Sequence, residues 1–154
     1  MSKQSLPESA DILLVEDQPS DAELAARALQ QEGLDMRLAV MRCGSELLDY
    51  IFSRGEHASR QPVDLPLLIL LDLKLPRVSG DEVLEQLKAD ERTKHIPVVM
   101  LTSSREAQDV ERCYQLGVNS FVVKPVDSTR FAETVQRLAR YWITINEPPR
   151  TRSL

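Results

Sequence analysis

Five polar residues stand where runs of apolar residues end: Glu16, Asp17, Asp72, Thr102 and Lys124. If the three carboxylates converge in the fold, they repel one another unless a cation lies among them. Oxygen ligands without histidine or cysteine favour a hard cation, and Mg²⁺ prefers such carboxylate sites. A carboxylate is also a nucleophile towards phosphorus, and an ammonium or hydroxyl group can stabilise the phosphoryl oxygens. These residue types therefore predict a Mg²⁺-dependent phosphoryl site, provided that the fold brings them together.

The apolar runs read as strands that alternate with helical segments. Five segments are predicted strands: 11–15, 36–40, 67–71, 97–101 and 121–123. Apolar residues at helical spacing follow each of them, with Ser20 as the predicted cap of the first helix and Ser45 as that of the second. Such alternation predicts an α/β fold, a doubly wound (βα)5 domain with a five-stranded parallel sheet of the flavodoxin-like type. Ligands of such sheets bind beyond the carboxyl ends of the strands, where all five polar residues are expected.

Composition excludes several other classes of protein. The chain has 154 residues, of which 42% are hydrophobic, and its formal charge of −5 argues against nucleic acid as a direct partner. The longest apolar run is too short to cross a membrane, and the N-terminus lacks the pattern of a signal peptide. Cys43 and Cys113 have neither zinc nor disulfide spacing. We expect a cytoplasmic protein with a flexible tail over residues 1–10, one domain over 11–142 and an extension over 143–154.

Four motifs of the chain resemble those of response-regulator receiver domains. They are ILLVED ending at Asp17, ILLDLKLP around Asp72, MLTSS around Thr102 and FVVKP around Lys124. They occur in the same order and cover nearly the whole chain. The resemblance implies that Asp72 accepts a phosphoryl group from a histidine kinase. It also implies that Asp17, Asp72 and the backbone carbonyl of Lys74 bind Mg²⁺ directly, with Glu16 acting through water.

The same resemblance implies roles for the later motifs. Thr102 would be the switch hydroxyl, Phe121 the switch aromatic residue and Lys124 the phosphate-binding lysine. The Lys124–Pro125 peptide bond would be cis, which proline tolerates far better than any other residue. The protein would then be a signalling protein rather than an enzyme, with only self-catalysed phosphotransfer and slow autodephosphorylation.

Other interpretations of these residues stay open at this point. Acids after strands are often solvated turn residues or helix caps, and Thr102 and Lys124 can have equally local roles. A Mg²⁺-dependent phosphohydrolase that forms an aspartyl phosphate is the main alternative function. Haloacid-dehalogenase-like enzymes of that kind place a second acid two residues after the nucleophile, and here that position is Lys74.

The segment after the last helix is too short for an effector domain, which predicts output through contacts with a target protein, a downstream phosphotransfer protein or a second copy of the chain. The long connection over residues 53–66 and the chain end resemble the stand-alone regulators of bacterial phytochrome kinases. That resemblance implies a homodimer, with Tyr141, Trp142 and Ile143 as candidates for its interface. Alternatively, Trp142 folds back on its own helix.

Overall fold

The computed structural model of the chain describes residues 6–7, 9–59 and 65–149. Its five strands form one sheet, in which every neighbouring pair is parallel and the spatial order is β2-β1-β3-β4-β5. The strands are β1 (Ile12–Val15), β2 (Leu38–Met41), β3 (Leu68–Leu71), β4 (Val98–Thr102) and β5 (Ser120–Val123). β1, β3 and β4 are buried throughout, as expected of central strands covered on both faces. The predicted α/β architecture is confirmed.

Helices cover both faces of this sheet. They are α1 (Pro19–Gln31), α2 (Gly44–Phe52), α3 (Gly80–Ala89), α4 (Ala107–Gln115) and α5 (Ser128–Arg140). Apolar side chains from α2, α3 and α4 pack on one face of the sheet, and those from α1 and α5 pack on the other. Two apolar cores therefore fix the sheet from both sides and hold the ends of its strands in place. Within the described part of the chain, no helix has the length and apolar character needed to cross a membrane.

Two helices begin earlier than their predicted caps. Gln18 is the N-terminal cap of α1, and Pro19 is its first residue, so Ser20 lies inside the helix. Proline is well suited to this place, because its fixed φ angle fits a helix and its missing N–H needs no partner. α2 begins at Gly44 after Cys43, and Ser45 likewise lies inside its first turn. Both predicted serine caps are therefore wrong by two residues.

A close backbone approach shapes the loop that follows β3. The Gly80 amide donates a hydrogen bond to the Leu73 carbonyl, at 2.8 Å. A β-carbon at Gly80 would lie only 2.2 Å from the carbonyl oxygen of Asp72. Only glycine lets the start of α3 fold back this closely on the strand end, and this contact helps to position Asp72.

Both ends of the described chain pack against the domain. Ser9 and Ala10, at the end of the predicted tail, are buried. The chain continues beyond α5 as a π-helical turn, Tyr141–Ile145, so the predicted boundary between residues 142 and 143 falls within this turn. Trp142 is half-buried and packs on the core between α5 and the sheet. Five residues of the long connection, 60–64, lie outside the described ranges.

Candidate functional site

Three acidic residues come together at the carboxyl edge of the sheet. β1 and β3 are neighbours in which Val15 pairs with Leu71, so the residues that follow these two positions emerge side by side. Carboxylate oxygens of Glu16, Asp17 and Asp72 all lie within 4.8 Å of one another. Glu16 and Asp72 are buried, whereas Asp17 is partly exposed. The structure thus gathers the predicted acids into one pocket that opens to solvent on the Asp17 side.

Lys124, at the end of β5, directs its ammonium group into this pocket. Its Nζ donates hydrogen bonds to Glu16 Oε2 at 2.5 Å, to Asp72 Oδ2 at 2.9 Å and to Asp21 Oδ2 at 3.2 Å. Only 9% of the lysine side chain is exposed. Within the described ranges, one cation therefore faces four carboxylates, counting Asp17, and these groups together carry an excess of negative charge.

Burial and charge change the acidity of two groups in the pocket. Burial raises the pKa of Glu16 to about 7, because hydrogen bonds from Lys124 and the Gln18 amide offset the loss of water only in part. Burial alone would lower the pKa of Lys124, but hydrogen bonds to Glu16 and Asp72 outweigh it and raise the pKa. Lys124 is accordingly charged throughout the physiological pH range, and Glu16 has a protonation equilibrium near neutrality.

The donor set of the pocket fits a divalent metal ion. Three carboxylates supply oxygen ligands, and one of them, Asp17, reaches the solvent from which a metal would enter. Lys124 alone does not neutralise the negative charge, so a divalent cation would relieve the remaining repulsion. Oxygen-only ligands suit hard ions such as Mg²⁺ and Mn²⁺.

The predicted switch residues lie beside the acids on the neighbouring strands. Thr102 is the last residue of β4 and is fully buried, and its Oγ1 accepts a hydrogen bond from the Ser104 amide at 3.3 Å. The Lys124 amide donates to the Thr102 carbonyl at 2.8 Å, which ties the end of β5 to the end of β4. Phe121 is half-buried against the core on the α2, α3 and α4 side. The hydroxyl and the ammonium group thus lie at adjacent strand ends.

One predicted feature of this region is wrong. Every peptide bond in the described ranges is trans, and this includes the bond between Lys124 and Pro125. The trans form is intrinsically favoured by about 0.5–1 kcal/mol even before proline. Val126, the residue after Pro125, is 98% exposed, so the chain leads outward beyond this bond. Burial of Val126 therefore does not act against the preference for the trans form.

Asp21 belongs to the pocket but was not among the predicted site residues. It lies in the first turn of α1 and reaches Lys124 across the carboxyl edge of the sheet. In the sequence it looks like one of the acids that favour the positive end of any helix. Its only distinguishing signal is that it follows the acidic pair by one helical turn.

Lys74 lies two residues after Asp72 on the exposed loop. Its amide donates to Asp72 Oδ1 at 3.3 Å, and its side-chain ammonium lies 3.8 Å from Asp109 of α4. The side chain at this position is therefore a cation, which pairs with α4. A phosphohydrolase of the kind considered above needs an acid there.

Comparison with known proteins identifies the family. The model of the response regulator receiver domain matches residues 12–136. The chain is 36% identical over 143 residues to the response regulator Rcp1 of Synechocystis, with 93% of this chain and 95% of Rcp1 covered. The Mn²⁺-bound structure of Rcp1 superposes with a TM-score of 0.83 and covers 93% of this chain and 99% of that one.

Two further solved structures are similar over nearly the whole chain. The phosphorylated cyanobacterial phytochrome response regulator RcpA has a TM-score of 0.84 and 33% identity, with 92% of this chain and 99% of that chain covered. The bacteriophytochrome response regulator AtBRR is 50% identical, with a TM-score of 0.70 and coverage of 92% and 100%. Together with the acid pocket and its lysine, these matches establish that the chain belongs to the family of response regulator receiver domains.

Proposed function

We propose that this receiver takes a phosphoryl group onto Asp72 from a histidine kinase of the phytochrome type. The observation that carries the proposal is the ammonium of Lys124, 2.9 Å from Asp72 Oδ2 in a pocket of excess negative charge. The resemblance of the chain to Rcp1, RcpA and AtBRR supports a phytochrome-type donor. The cytoplasmic location that we expect for this chain from its sequence stays a prediction.

In the proposed reaction, an Asp72 carboxylate oxygen attacks the phosphorus of a phosphohistidine. The new bond is an acyl phosphate P–O bond, while the P–N bond breaks and its electron pair stays on the imidazole nitrogen. Lys124 and the Thr102 hydroxyl neutralise and hydrogen-bond the transferred oxygens. Only slow hydrolysis of the phosphoryl group is expected, because position 74 carries a lysine in place of a second acid that could activate water.

We propose Mg²⁺ as the metal of the pocket. Asp17, Asp72 and the carbonyl of Lys74 would bind it directly, and Glu16 would bind it through water. The bound ion would supply charge neutralisation between the acids and the incoming phosphoryl oxygens. Thr102 and Phe121 are the proposed switch: movement of the hydroxyl towards the phosphoryl group vacates space into which the aromatic ring turns.

The donor is tested by kinetic preference. The protein is mixed with a panel of phosphorylated histidine kinases that includes a bacteriophytochrome, and transfer of ³²P is followed over seconds to minutes. The proposal expects the phytochrome-type kinase to transfer at least ten-fold faster than the others. Equal rates with all donors would remove the phytochrome assignment, and no transfer from any donor would contradict the acceptor role.

Metal binding should stabilise the unmodified protein. Mg²⁺ binds the assembled acids of the folded state and not the separated acids of the unfolded chain, so millimolar Mg²⁺ should raise Tm. We expect Asp17→Ala to weaken this shift more than Glu16→Ala does, because Asp17 is a direct ligand in the proposal. The measurement is a thermal melt with and without EDTA. An unchanged Tm, or a larger loss for Glu16→Ala, would contradict the proposed ligands.

We also propose a homodimer whose interface includes the π-helical turn after α5. Tyr141 and Ile145 are 46% and 66% exposed, while Trp142 and Ile143 are half-buried against their own core. Among the three predicted interface residues, Tyr141 is therefore the side chain best placed for a partner, and Trp142 supports the turn from beneath. Sedimentation velocity of the wild type and of Tyr141→Ala should show a dimer at tens of micromolar that the substitution weakens. A wild-type monomer, with or without phosphorylation, would leave other proteins as the output.

A further inference from the structure

Lys124 donates all three of its N–H groups to carboxylates, and one of these carboxylates lies outside the proposed metal site. Glu16 and Asp72 belong to the cluster whose oxygens lie within 4.8 Å of one another. Asp21 is not in that cluster, yet its Oδ2 lies 3.2 Å from the ammonium nitrogen. It comes from α1, whereas the other two partners come from strand ends.

The three partners have different fates in the proposed reaction. Asp72 becomes the acyl phosphate, so the bond it accepts from Lys124 must pass to a phosphoryl oxygen. Glu16 would also bind the metal ion, through water. Asp21 is engaged by neither the metal nor the phosphoryl group, and it is therefore the partner that can keep Lys124 through the whole reaction.

Lysine needs such a partner more than arginine would. Its ammonium is a point charge on a four-carbon flexible stem, with no planar geometry of its own to orient the donors. A fixed acceptor on α1 restrains the stem, so that one N–H continues to face the acceptor carboxylate. The Asp21 side chain is 39% exposed, so this contact lies at the solvent edge of the pocket.

We propose that Asp21 is a positioning residue, which holds the Lys124 ammonium in place for the phosphoryl oxygens on Asp72. This inference rests on the proposed function of Asp72 and Lys124. Asp21 acts through its acceptor oxygen on Lys124 and touches neither the metal ion nor the phosphorus.

Two variants at this position separate the hydrogen bond from the charge. Asp21→Ala and Asp21→Asn remove the same negative charge, but only the amide keeps an oxygen that can accept from Lys124. With Mg²⁺ saturating, beryllofluoride serves as the phosphoryl mimic, and its affinity is measured by ¹⁹F NMR titration. We expect Asp21→Ala to bind it roughly three- to ten-fold more weakly than Asp21→Asn, the effect of one lost hydrogen bond. Equal affinities of the two variants would overturn the positioning role.

A second comparison shows whether the effect passes through the lysine. In a Lys124→Ala background, the difference between the alanine and asparagine variants should disappear, whereas a merely structural effect of position 21 would remain. Glu23→Ala, two residues along α1 in an exposed ion pair with Arg27, is the control and should leave beryllofluoride affinity unchanged. A wild type that fails to bind the mimic would overturn the proposed function itself. Normal wild-type binding with equal Asp21 variants would overturn only the inference.

Discussion

Asp72→Asn should abolish phosphoryl labelling while leaving the fold intact. The amide is nearly isosteric with the carboxylate, but it is not a nucleophile towards phosphorus, and its oxygen can still accept a hydrogen bond from Lys124. The loss of one negative charge also lowers the attraction of the pocket for a metal ion. We expect no detectable ³²P transfer from a kinase that labels the wild type, and a smaller rise of Tm with Mg²⁺.

The control for this result is another aspartate that lies away from the pocket. Asp35 is exposed in the connection between α1 and β2, and changing it to asparagine should not affect any contact of the site. Asp35→Asn should be labelled as fast as the wild type, and circular dichroism of both variants should match it. Undiminished labelling of Asp72→Asn would show that another residue is the acceptor.

The convergence of the pocket could be predicted because it follows from strand position alone. Asp17, Asp72 and Lys124 each end an apolar run, and parallel strands bring such ends to one edge of the sheet. The apolar runs are unambiguous, since β1, β3 and β4 are buried on both faces. The helix starts were harder, because a serine cap and a proline at the first helical position compete within two residues at Pro19 and Ser20.

Asp21 could not be predicted for a different physical reason. Its partner Lys124 lies 103 residues further along the chain, and their contact depends on how α1 lies over the strand ends. A first-turn acid has a sufficient local explanation in the helix dipole, so nothing in the pattern points beyond α1. The isomer of Pro125 also lay outside reach, since the two forms differ by only about 0.5–1 kcal/mol before tertiary contacts.

Of the substitutions proposed here, Lys124→Met should cause the largest loss of stability, and the size of this loss should depend on Mg²⁺. The side chain is buried among carboxylates, and methionine keeps most of its apolar length while it removes the charge. Removing one partner of a buried ion pair leaves the other charges uncompensated, which costs about 3–5 kcal/mol. We therefore expect a fall of about 3 kcal/mol in the free energy of unfolding in EDTA at pH 8.

The loss should also depend on pH with a definite sign. The pKa of Glu16 is raised to about 7 in the fold from its usual 4.5, so the folded state holds this proton more tightly than the unfolded state does. The contribution of Glu16 to stability is fully present below pH 4.5 and is lost as the pH rises to 7. Without Lys124, the charged form of Glu16 is even less favourable in the folded state. The free energy of unfolding that Lys124→Met loses should therefore be smaller at pH 6 than at pH 8.

Lys88→Met is the matched control, because Lys88 is another half-buried lysine, and among the described residues no carboxylate lies within ion-pair distance of its Nζ. Its Nζ donates to the Lys94 and Ile96 carbonyls and to Asn119 Oδ1, at 2.8–3.1 Å. Its removal breaks hydrogen bonds but exposes no cluster of like charges. Millimolar Mg²⁺ should therefore restore much of the stability lost in Lys124→Met, since the cation replaces the missing positive charge, and none of that lost in Lys88→Met. Equal recovery of the two variants, or none in either, would show that charge repulsion among the acids does not govern the stability of this pocket.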